Sequence, residues 1–148
     1  MSLKVSVKVL PHGAGLPLPR YMTPGSAGMD LFAAVSGEMT LAPGQTAPIP
    51  TGISIALPGG FEGQVRPRSG LGLRHGVGLI NAPGTIDSDY RGEVMVLMTN
   101  FSGADYRVQR GDRIAQLVVA RYERVEWEPC DELPPSGRSG GGFGHSGR

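Results

Sequence analysis

The sequence predicts an all-β protein in which short strands close into a jelly-roll-like barrel. Apolar residues either alternate with polar ones or form runs too short for an ordinary helix. In addition, 24 glycines and 13 prolines among 148 residues interrupt the chain with frequent turns. These turns leave room for at most one short helix, which we place around residues 70–76.

The first predicted strands alternate between apolar and polar residues. The segment Val5–Val9 has valine at every second position, and Ile53–Leu57 repeats the pattern. A period of two is typical of a strand with one buried face. Between and beyond these segments, proline marks the turns Leu16-Pro17, Thr23-Pro24-Gly25, Ala42-Pro43-Gly44, Leu57-Pro58-Gly59 and Ala82-Pro83-Gly84.

The later predicted strands are nearly continuous apolar runs. Val94–Met98 and Ile114–Ala120 contain little polar interruption, as in strands covered on both sides. From about Pro134 the composition changes to glycine, serine and arginine, which cannot offset the entropy cost of ordering. We therefore predict a barrel domain over residues 1–133 and a mobile arm over residues 134–148.

Charge and composition exclude several classes of protein. A net charge of +1 is too small for the basic field of a nucleic-acid or membrane-surface protein, so any phosphate recognition must be local. Only Lys4 and Lys8 among the 14 basic residues are lysines, and arginine can hold a phosphate through two hydrogen bonds. Cys130 is the single cysteine, which excludes an internal disulfide framework, and no apolar run is long enough to span a membrane. We expect a cytoplasmic protein.

Five separated segments carry the specific signal: residues 27–31 (AGMDL), 67–73 (PRSGLGL), 84–92 (GTIDSDYRG), 110–117 (RGDRIAQL) and 138–147 (RSGGGFGHSG). In order and spacing they resemble the five motifs of the trimeric dUTPase family, over nearly the whole chain. The resemblance implies hydrolysis of dUTP to dUMP and pyrophosphate, which limits uracil incorporation into DNA and supplies dUMP for thymidylate synthesis. It also implies Mg²⁺ as cofactor, held by the substrate triphosphate and water with no direct protein ligand, and a homotrimer with shared active sites.

Asp87 is the predicted catalytic base. An ionised carboxylate beside the α-phosphate can take a proton from an attacking water, and the matching aspartate of the family does so. Taken alone, an aspartate in a turn-rich chain is more often a turn residue. Asp89 lies two positions away and would share a face with Asp87 in an extended strand, but the family gives it no such role, so we interpret it as structural.

Nucleoside recognition is assigned by the same resemblance. The Asn81 amide can pair with the O4 and N3 edge of uracil, and the backbone of a following hairpin, near Thr85, Ile86 and Met95, would complete the pairing. Cytosine would leave buried groups unpaired. Tyr90 corresponds to the tyrosine that packs against deoxyribose and occupies the space of a 2′-hydroxyl. Without the motifs, a turn asparagine and a packing tyrosine would be the preferred interpretations.

Phosphate binding is assigned to the second and fourth motifs. Arg68, Ser69 and Gly70 would supply a guanidinium, a hydroxyl and a close backbone approach. Gln116 lies in an apolar run and needs either a core hydrogen bond or contact with the α-phosphate, and the resemblance favours the phosphate. Asp30 would not contact the substrate directly but would act through a metal-bound water or a neighbouring arginine. A structural salt bridge explains an aspartate at this position equally well.

The carboxyl-terminal motif implies a lid over the site. In the family, an arginine and small polar residues bind the γ-phosphate and an aromatic ring stacks on uracil, and the matching residues are Arg138, Phe143, His145, Ser146 and Gly147. Ser139 stands where the family usually has glycine, and His145 replaces a commoner serine. Composition alone favours a disordered linker.

Two rival interpretations remain. A dCTP deaminase of the same fold requires a glutamate at the position of Leu97, and proline and glycine where this chain has Ser88 and Asp89. A non-catalytic jelly-roll module, such as a carbohydrate-binding or capsid-like domain, gives no reason for Asp87, Asn81 and Gln116 to coexist with an arginine-bearing tail.

Overall fold

The computed structural model describes residues 2–142. Over this range the chain is nearly all β, as predicted, with one short α-helix and one short 3₁₀ helix, Pro11–Gly13. The strands are β1 Ser6–Val9, β2 Met29–Phe32, β3 Met39–Leu41, β4 Thr46–Ala56, β5 Phe61–Arg66, β6 Val77–Leu79, β7 Gly84–Ile86, β8 Glu93–Asn100, β9 Tyr106–Val108 and β10 Arg113–Arg121; the helix α1 is Ser69–His75.

Two four-stranded antiparallel sheets form the barrel. The first has the order β1-β4-β8-β6 and the second the order β2-β10-β5-β7, and a small sheet pairs β3 with β9. Most neighbours in these sheets are far apart in sequence, as the closed jelly-roll topology requires. The core between the sheets is aliphatic and includes the fully buried Leu31, Ile49, Met98 and Ile114.

The helix α1 forms where the sequence predicted one, and a glycine accounts for where it ends. Gly76 adopts a left-handed conformation (φ 62°, ψ 31°), and its N–H donates to the carbonyl of Gly72 at 3.0 Å. Glycine is the residue that reaches this conformation without steric cost, so the helix stops there. The 3₁₀ helix at Pro11–Gly13 was not predicted.

Two strand predictions differ from the structure. Every residue of β1 is exposed, including Val7 (43%) and Val9 (46%), so the expected buried face is absent in the single chain. The reason is position, because β1 lies at the edge of its sheet. Likewise β8 is not covered on both sides: Val94 and Val96 are buried, but Met95 between them is exposed.

After β10 the chain leaves the barrel. Residues 122–142 contain no helix or strand, and Val125, Trp127 and Leu133 are largely exposed, with Trp127 at 86%. The predicted boundary at residue 133 remains a prediction. Within residues 2–142, no helix is sufficiently long and apolar to cross a membrane.

Candidate active site

A pocket of about 130 Å³ opens where β7 ends and β8 begins. Buried Val65 and Val94 form part of its wall, and the Leu97 side chain also lines it. Six of the residues predicted for base, sugar and catalysis meet in this one pocket: Asn81, Thr85, Ile86, Asp87, Tyr90 and Met95. An apolar wall with a few polar groups at the rim is typical of a pocket for a small ligand.

The link between β7 and β8 places Asp87 at the pocket. Asp87 follows β7 directly, and its carbonyl accepts the N–H of Tyr90 at 3.1 Å, which turns the chain. The hairpin predicted here is wrong: β7 pairs with β5 in one sheet, whereas β8 pairs with β4 and β6 in the other. The turn therefore takes the chain from one sheet to the other, and the pocket lies where the chain passes between them.

Asn81 precedes a cis peptide bond between Ala82 and Pro83. Its amide lies over Gly84, where an added Cβ would come within 3.1 Å of the Asn81 amide nitrogen. Among residues 2–142, the Asn81 side chain has no hydrogen-bond partner. A glycine at position 84 thus leaves the amide room to face a ligand in the pocket.

A second polar group surrounds Asp30, which is 5% exposed on β2. Its Oδ1 accepts from Arg68 Nε at 3.1 Å and from Gln116 Nε2 at 3.4 Å, and its Oδ2 lies 3.5 Å from Arg113 Nη1. Register explains the meeting, because Gln116 stands opposite Asp30 across the β10–β2 pair. Arg68 also donates to the carbonyl of Arg113 at 3.1 Å. One buried carboxylate thus orients two guanidinium groups and an amide.

Arg68 and Ser69 also line an open cleft of about 490 Å³ beside α1, together with Phe101. Ser69 is the first residue of the helix and is exposed. Gly70 follows it; an added Cβ there would lie 2.9 Å from Arg74 Nη2. Arg68 and Ser69 therefore face a wide, open space, whereas Gly70 and Gln116 are not among the residues that line it.

Tyr106 lies close to this charged group. Burial raises the pKa of its phenol above the ordinary 10.0, the negative charge of Asp112 adds to the effect, and Arg68 opposes it. Its ring packs against the His75 ring, with centroids 5.4 Å apart. The phenol therefore remains neutral well into the alkaline range.

The pocket around Asn81 and Asp87 and the cleft beside α1 share no lining residue within one chain. Arg138 does not reach either of them: its Nε donates to the carbonyl of Gly141 at 2.6 Å, and it is exposed. Ser139 has a left-handed φ of 48°, a conformation that favours glycine. Phe143, His145, Ser146 and Gly147 lie outside the described residues.

Sequence reasoning missed several residues that organise the site. Arg113 reaches Asp30, and Arg110 donates to the carbonyls of His12 and Ala14 at 2.7 and 2.9 Å. Both arginines belong to the fourth motif segment, which was a usable signal. Glu93 accepts from His12 Nε2 at 2.7 Å and from the Gly52 N–H at 2.8 Å, and no pattern in the sequence indicates that contact.

Comparison of the sequence with known proteins shows the family of this chain. The dUTPase family profile matches residues 15–147. A deoxyuridine 5′-triphosphate nucleotidohydrolase of Anaplasma marginale (strain St. Maries) is 51% identical over 145 residues, covering 98% of this chain and 99% of that protein. Another, from Wolbachia sp. subsp. Brugia malayi (strain TRS), is 53% identical over 148 residues, covering 99% of this chain and 95% of that protein.

Solved structures agree as well. A mutant dUTPase of Staphylococcus bacteriophage 80alpha, determined with dUpNHpp, superimposes with a TM-score of 0.88 at 25% identity, covering 98% of this chain and 99% of that one. A mutant dUTPase from phage phi11 of S. aureus, described for its coordination of a structural Mg(II) ion, gives 0.79 at 22% identity over 89% of this chain and 99% of that one. The second likeness concerns the fold alone. The extent of the family match and the identity to full-length relatives show that this chain belongs to the dUTPase family.

Proposed function

We propose that this chain hydrolyses dUTP to dUMP and pyrophosphate by attack of water on the α-phosphorus. The observation that carries the proposal is the meeting of Asp87 and Asn81 in one pocket, with Tyr90 beside them. Asp87 takes a proton from water, whose oxygen bonds to the α-phosphorus. The bond from the α-phosphorus to the oxygen shared with the β-phosphorus then breaks, and its electron pair leaves with pyrophosphate.

Uracil is read by the free amide of Asn81 and by the backbone near Thr85, Ile86 and Met95, which line the same pocket. A pocket that hydrogen-bonds its ligand rejects an analogue with the wrong donors, because buried groups lose their partners. The ring of Tyr90 closes the sugar end and excludes a 2′-hydroxyl. This selects deoxyuridine over both cytidine and uridine nucleotides.

The triphosphate is held by Arg68, Ser69, Gly70 and Gln116. The geometry around Asp30 supports this assignment, because the buried carboxylate fixes the Arg68 guanidinium and the Gln116 amide in relation to each other. Asp30 is a positioning residue. Arg68 then stabilises the charge that develops on the departing pyrophosphate.

Mg²⁺ fits this site as an ion that the substrate phosphates hold, without direct protein ligands. Asp30 is already engaged by Arg68 and Arg113, and residues 2–142 hold no group of three His, Cys, Asp or Glu side chains suited to a metal ion. The phosphate oxygens and water are the natural ligands for this ion. When bound there, it neutralises phosphate charge that would otherwise repel the attacking water.

The carboxyl-terminal motif is proposed as a lid. Arg138 would bind the γ-phosphate with Ser146 and Gly147, Phe143 would stack on uracil, and His145 would lie between them. Arg138 is exposed, and among residues 2–142 its side chain bonds only to the neighbouring backbone, which leaves it able to move to a substrate. Closure would exclude water and strengthen the charged contacts with the phosphates.

A homotrimer with shared sites is the proposed assembly. The nucleoside pocket and the phosphate cleft of one chain share no residue, so each chain would complete a neighbour's site. The exposed segment 125–128 alternates Val125 and Trp127 with two glutamates, a pattern that suits pairing with an edge strand. The edge strand β1 offers valines on one face, with Lys8 in the strand and Lys4 just before it.

The rival functions are not favoured. The dCTP deaminase would need a carboxylate where the apolar Leu97 lines the pocket. A non-catalytic module is disfavoured by the relatives, which are named as nucleotidohydrolases. No partner other than dUTP and further copies of the chain is proposed, neither nucleic acid nor membrane. A cytoplasmic location also stays a prediction.

Pyrophosphate release tests the proposal. Wild-type protein is assayed with dUTP, dCTP, dTTP and UTP, and Asp87→Asn is assayed with dUTP. We expect the wild-type protein to release pyrophosphate from dUTP much faster than from dCTP, dTTP or UTP. In Asp87→Asn, the rate with dUTP should fall by a factor on the order of 10² or more. Asp89→Asn, an equally exposed carboxylate two residues away, is the matched control and should retain activity. A variant at position 87 that is as fast as wild type removes the proposed base.

A further inference from the structure

The ring of Tyr90 is held by its neighbours in the turn that follows. The phenol O–H donates to the carbonyl of Glu93 at 2.9 Å, although the ring itself is 44% exposed. An exposed aromatic ring that forms one side of a ligand pocket is useful only when it is held still, because a free ring would yield to a bulkier ligand. The contacts that hold this ring therefore matter for selectivity.

Gly92 lies directly beneath the ring. A Cβ built there would come within 2.6 Å of Tyr90 Cζ and 3.0 Å of Cε2, and closer still to the phenol oxygen. The backbone of Gly92 is not in the left-handed region, so alanine is compatible with its conformation. The three atoms nearest to such a Cβ all belong to Tyr90, so the absence of a side chain at position 92 permits the ring to lie where it does.

Glu93, whose carbonyl accepts the Tyr90 hydroxyl, is itself held in place by its side chain. Its Oε1 accepts from the N–H of Gly52, in the irregular part of β4, at 2.8 Å and from His12 Nε2 at 2.7 Å. Arg110 in turn holds the backbone of His12 by donating to its carbonyl at 2.7 Å. Gly52 and His12 thus converge on the residue whose carbonyl accepts the Tyr90 hydroxyl, and Arg110 holds His12 in place.

We propose that Gly92 and Glu93 are specificity-determining positioning residues: together they fix the Tyr90 ring so that it rejects a ribose 2′-hydroxyl. Neither residue contacts the substrate. This inference rests on the proposed function, since it assigns the selectivity of that site. It predicts that disturbing either residue changes the preference between dUTP and UTP more than it changes the turnover of dUTP.

The test measures kcat/KM for dUTP and UTP in the same preparation of each variant. Gly92→Ala and Glu93→Ala should lower the dUTP-to-UTP ratio on the order of tenfold or more. Glu93→Gln should retain most of it, because its amide oxygen still accepts from Gly52 and His12. The ratio does not depend on the fraction of folded enzyme, so partial unfolding leaves the result interpretable.

Two controls match the substitutions. Gly103→Ala adds a methyl group where nothing lies within 4 Å. Glu38→Gln neutralises an exposed carboxylate that pairs with Arg107. Both should keep the wild-type ratio. A wild-type dUTP-to-UTP ratio in both Gly92→Ala and Glu93→Ala would overturn the inference. An equal loss of kcat/KM for dUTP and UTP gives that same ratio and would overturn it too. Failure of wild-type protein to release pyrophosphate from dUTP would instead refute the proposed function.

Discussion

At the scale of single residues, Asp30 orients the side chains of the proposed phosphate site. A carboxylate that is 5% exposed is stable only when opposite charge and hydrogen bonds compensate its lost hydration. Arg68, Arg113 and Gln116 provide that compensation. The two interpretations left open by the sequence, a salt bridge and a supporting role, therefore coincide, because the ion pair is what orients the side chains proposed to bind phosphate.

Asp30→Asn should both destabilise the protein and impair its activity. Removing the charge leaves two guanidinium groups without their shared partner, and we expect a loss of about 1–3 kcal/mol in unfolding free energy. KM for dUTP should rise because Arg68 is no longer fixed. Urea unfolding and pyrophosphate-release kinetics measure the two effects. Glu38→Gln removes an exposed ion pair and should cost less than about 1 kcal/mol; an equal effect of both substitutions contradicts the argument.

Tyr106 predicts how stability depends on alkaline pH. Its pKa is raised in the folded protein, mainly by burial, so the unfolded chain releases this proton first, near the ordinary 10.0. The stabilisation is complete below that pH and is lost as pH rises from there through the folded pKa. Tyr106→Phe keeps the ring and removes the titration. Unfolding midpoints measured at about pH 8 and about pH 11 should fall less in the variant than in wild type; parallel falls would refute the assignment.

At the scale of secondary structure, α1 offers a matched pair of glycines. Gly72 lies inside the helix, where an added Cβ would be in ordinary contact with the Val77 carbonyl oxygen at 3.9 Å, whereas Gly76 ends the helix with a φ of 62° and an added Cβ there would lie 3.0 Å from the Ser102 Cβ. Gly72→Ala should stabilise the protein by about 0.5–1 kcal/mol, since alanine loses less entropy in a helix. Gly76→Ala should destabilise it by about 1–2 kcal/mol. Thermal unfolding measures both, and shifts of the same sign would contradict this account of the helix end.

Local signals in the sequence were sufficient for elements such as α1. Glycine punctuation located this helix to within one residue at each end, because the helix stop depends on the backbone of Gly76 alone. The burial of β1 was not predictable in this way. Alternation marks a face of a strand, but whether that face is covered depends on which elements pack against it, and β1 lies at a sheet edge. The supposed hairpin at Asp87 failed for the same reason, because sheet membership is set by distant partners.

The candidate site likewise combines residues that local sequence signals located with contacts that depend on distant parts of the chain. Asn81, Asp87 and Tyr90 are close in sequence, and the pocket they share was expected from their motif. The ion pair of Arg113 with Asp30 and the contact of Glu93 with His12 join parts of the chain that are far apart. Neither contact leaves a periodic pattern in the sequence. Only the closed barrel brings such residues together.

At the scale of the whole molecule, two features of the single chain support the proposed assembly. The pocket around Asp87 and the cleft beside α1 are separate, and the segment after β10 exposes Val125, Trp127 and Leu133. Exposed apolar side chains of this size are costly in water unless a partner covers them. In the proposed trimer, the edge strand β1 of another copy would provide apolar side chains, and Lys8 within it and Lys4 just before it would complement the glutamates of the segment. Assembly and activity should therefore depend on different parts of the carboxyl-terminal region.

Two truncations separate these parts. A chain that ends at Ser136 keeps Val125, Trp127 and Leu133 but loses Arg138 and the rest of the proposed lid, so it should remain trimeric while pyrophosphate release from dUTP falls on the order of 10² or more. A chain that ends at Arg121 also loses the apolar segment and should dissociate. Analytical ultracentrifugation gives the mass of each species, and the kinetics are measured on the same samples. Full activity in the first truncation would refute the lid. A stable trimer in the second would show that the segment after β10 is not what holds the copies together, because the remaining barrel surfaces would then be sufficient for association.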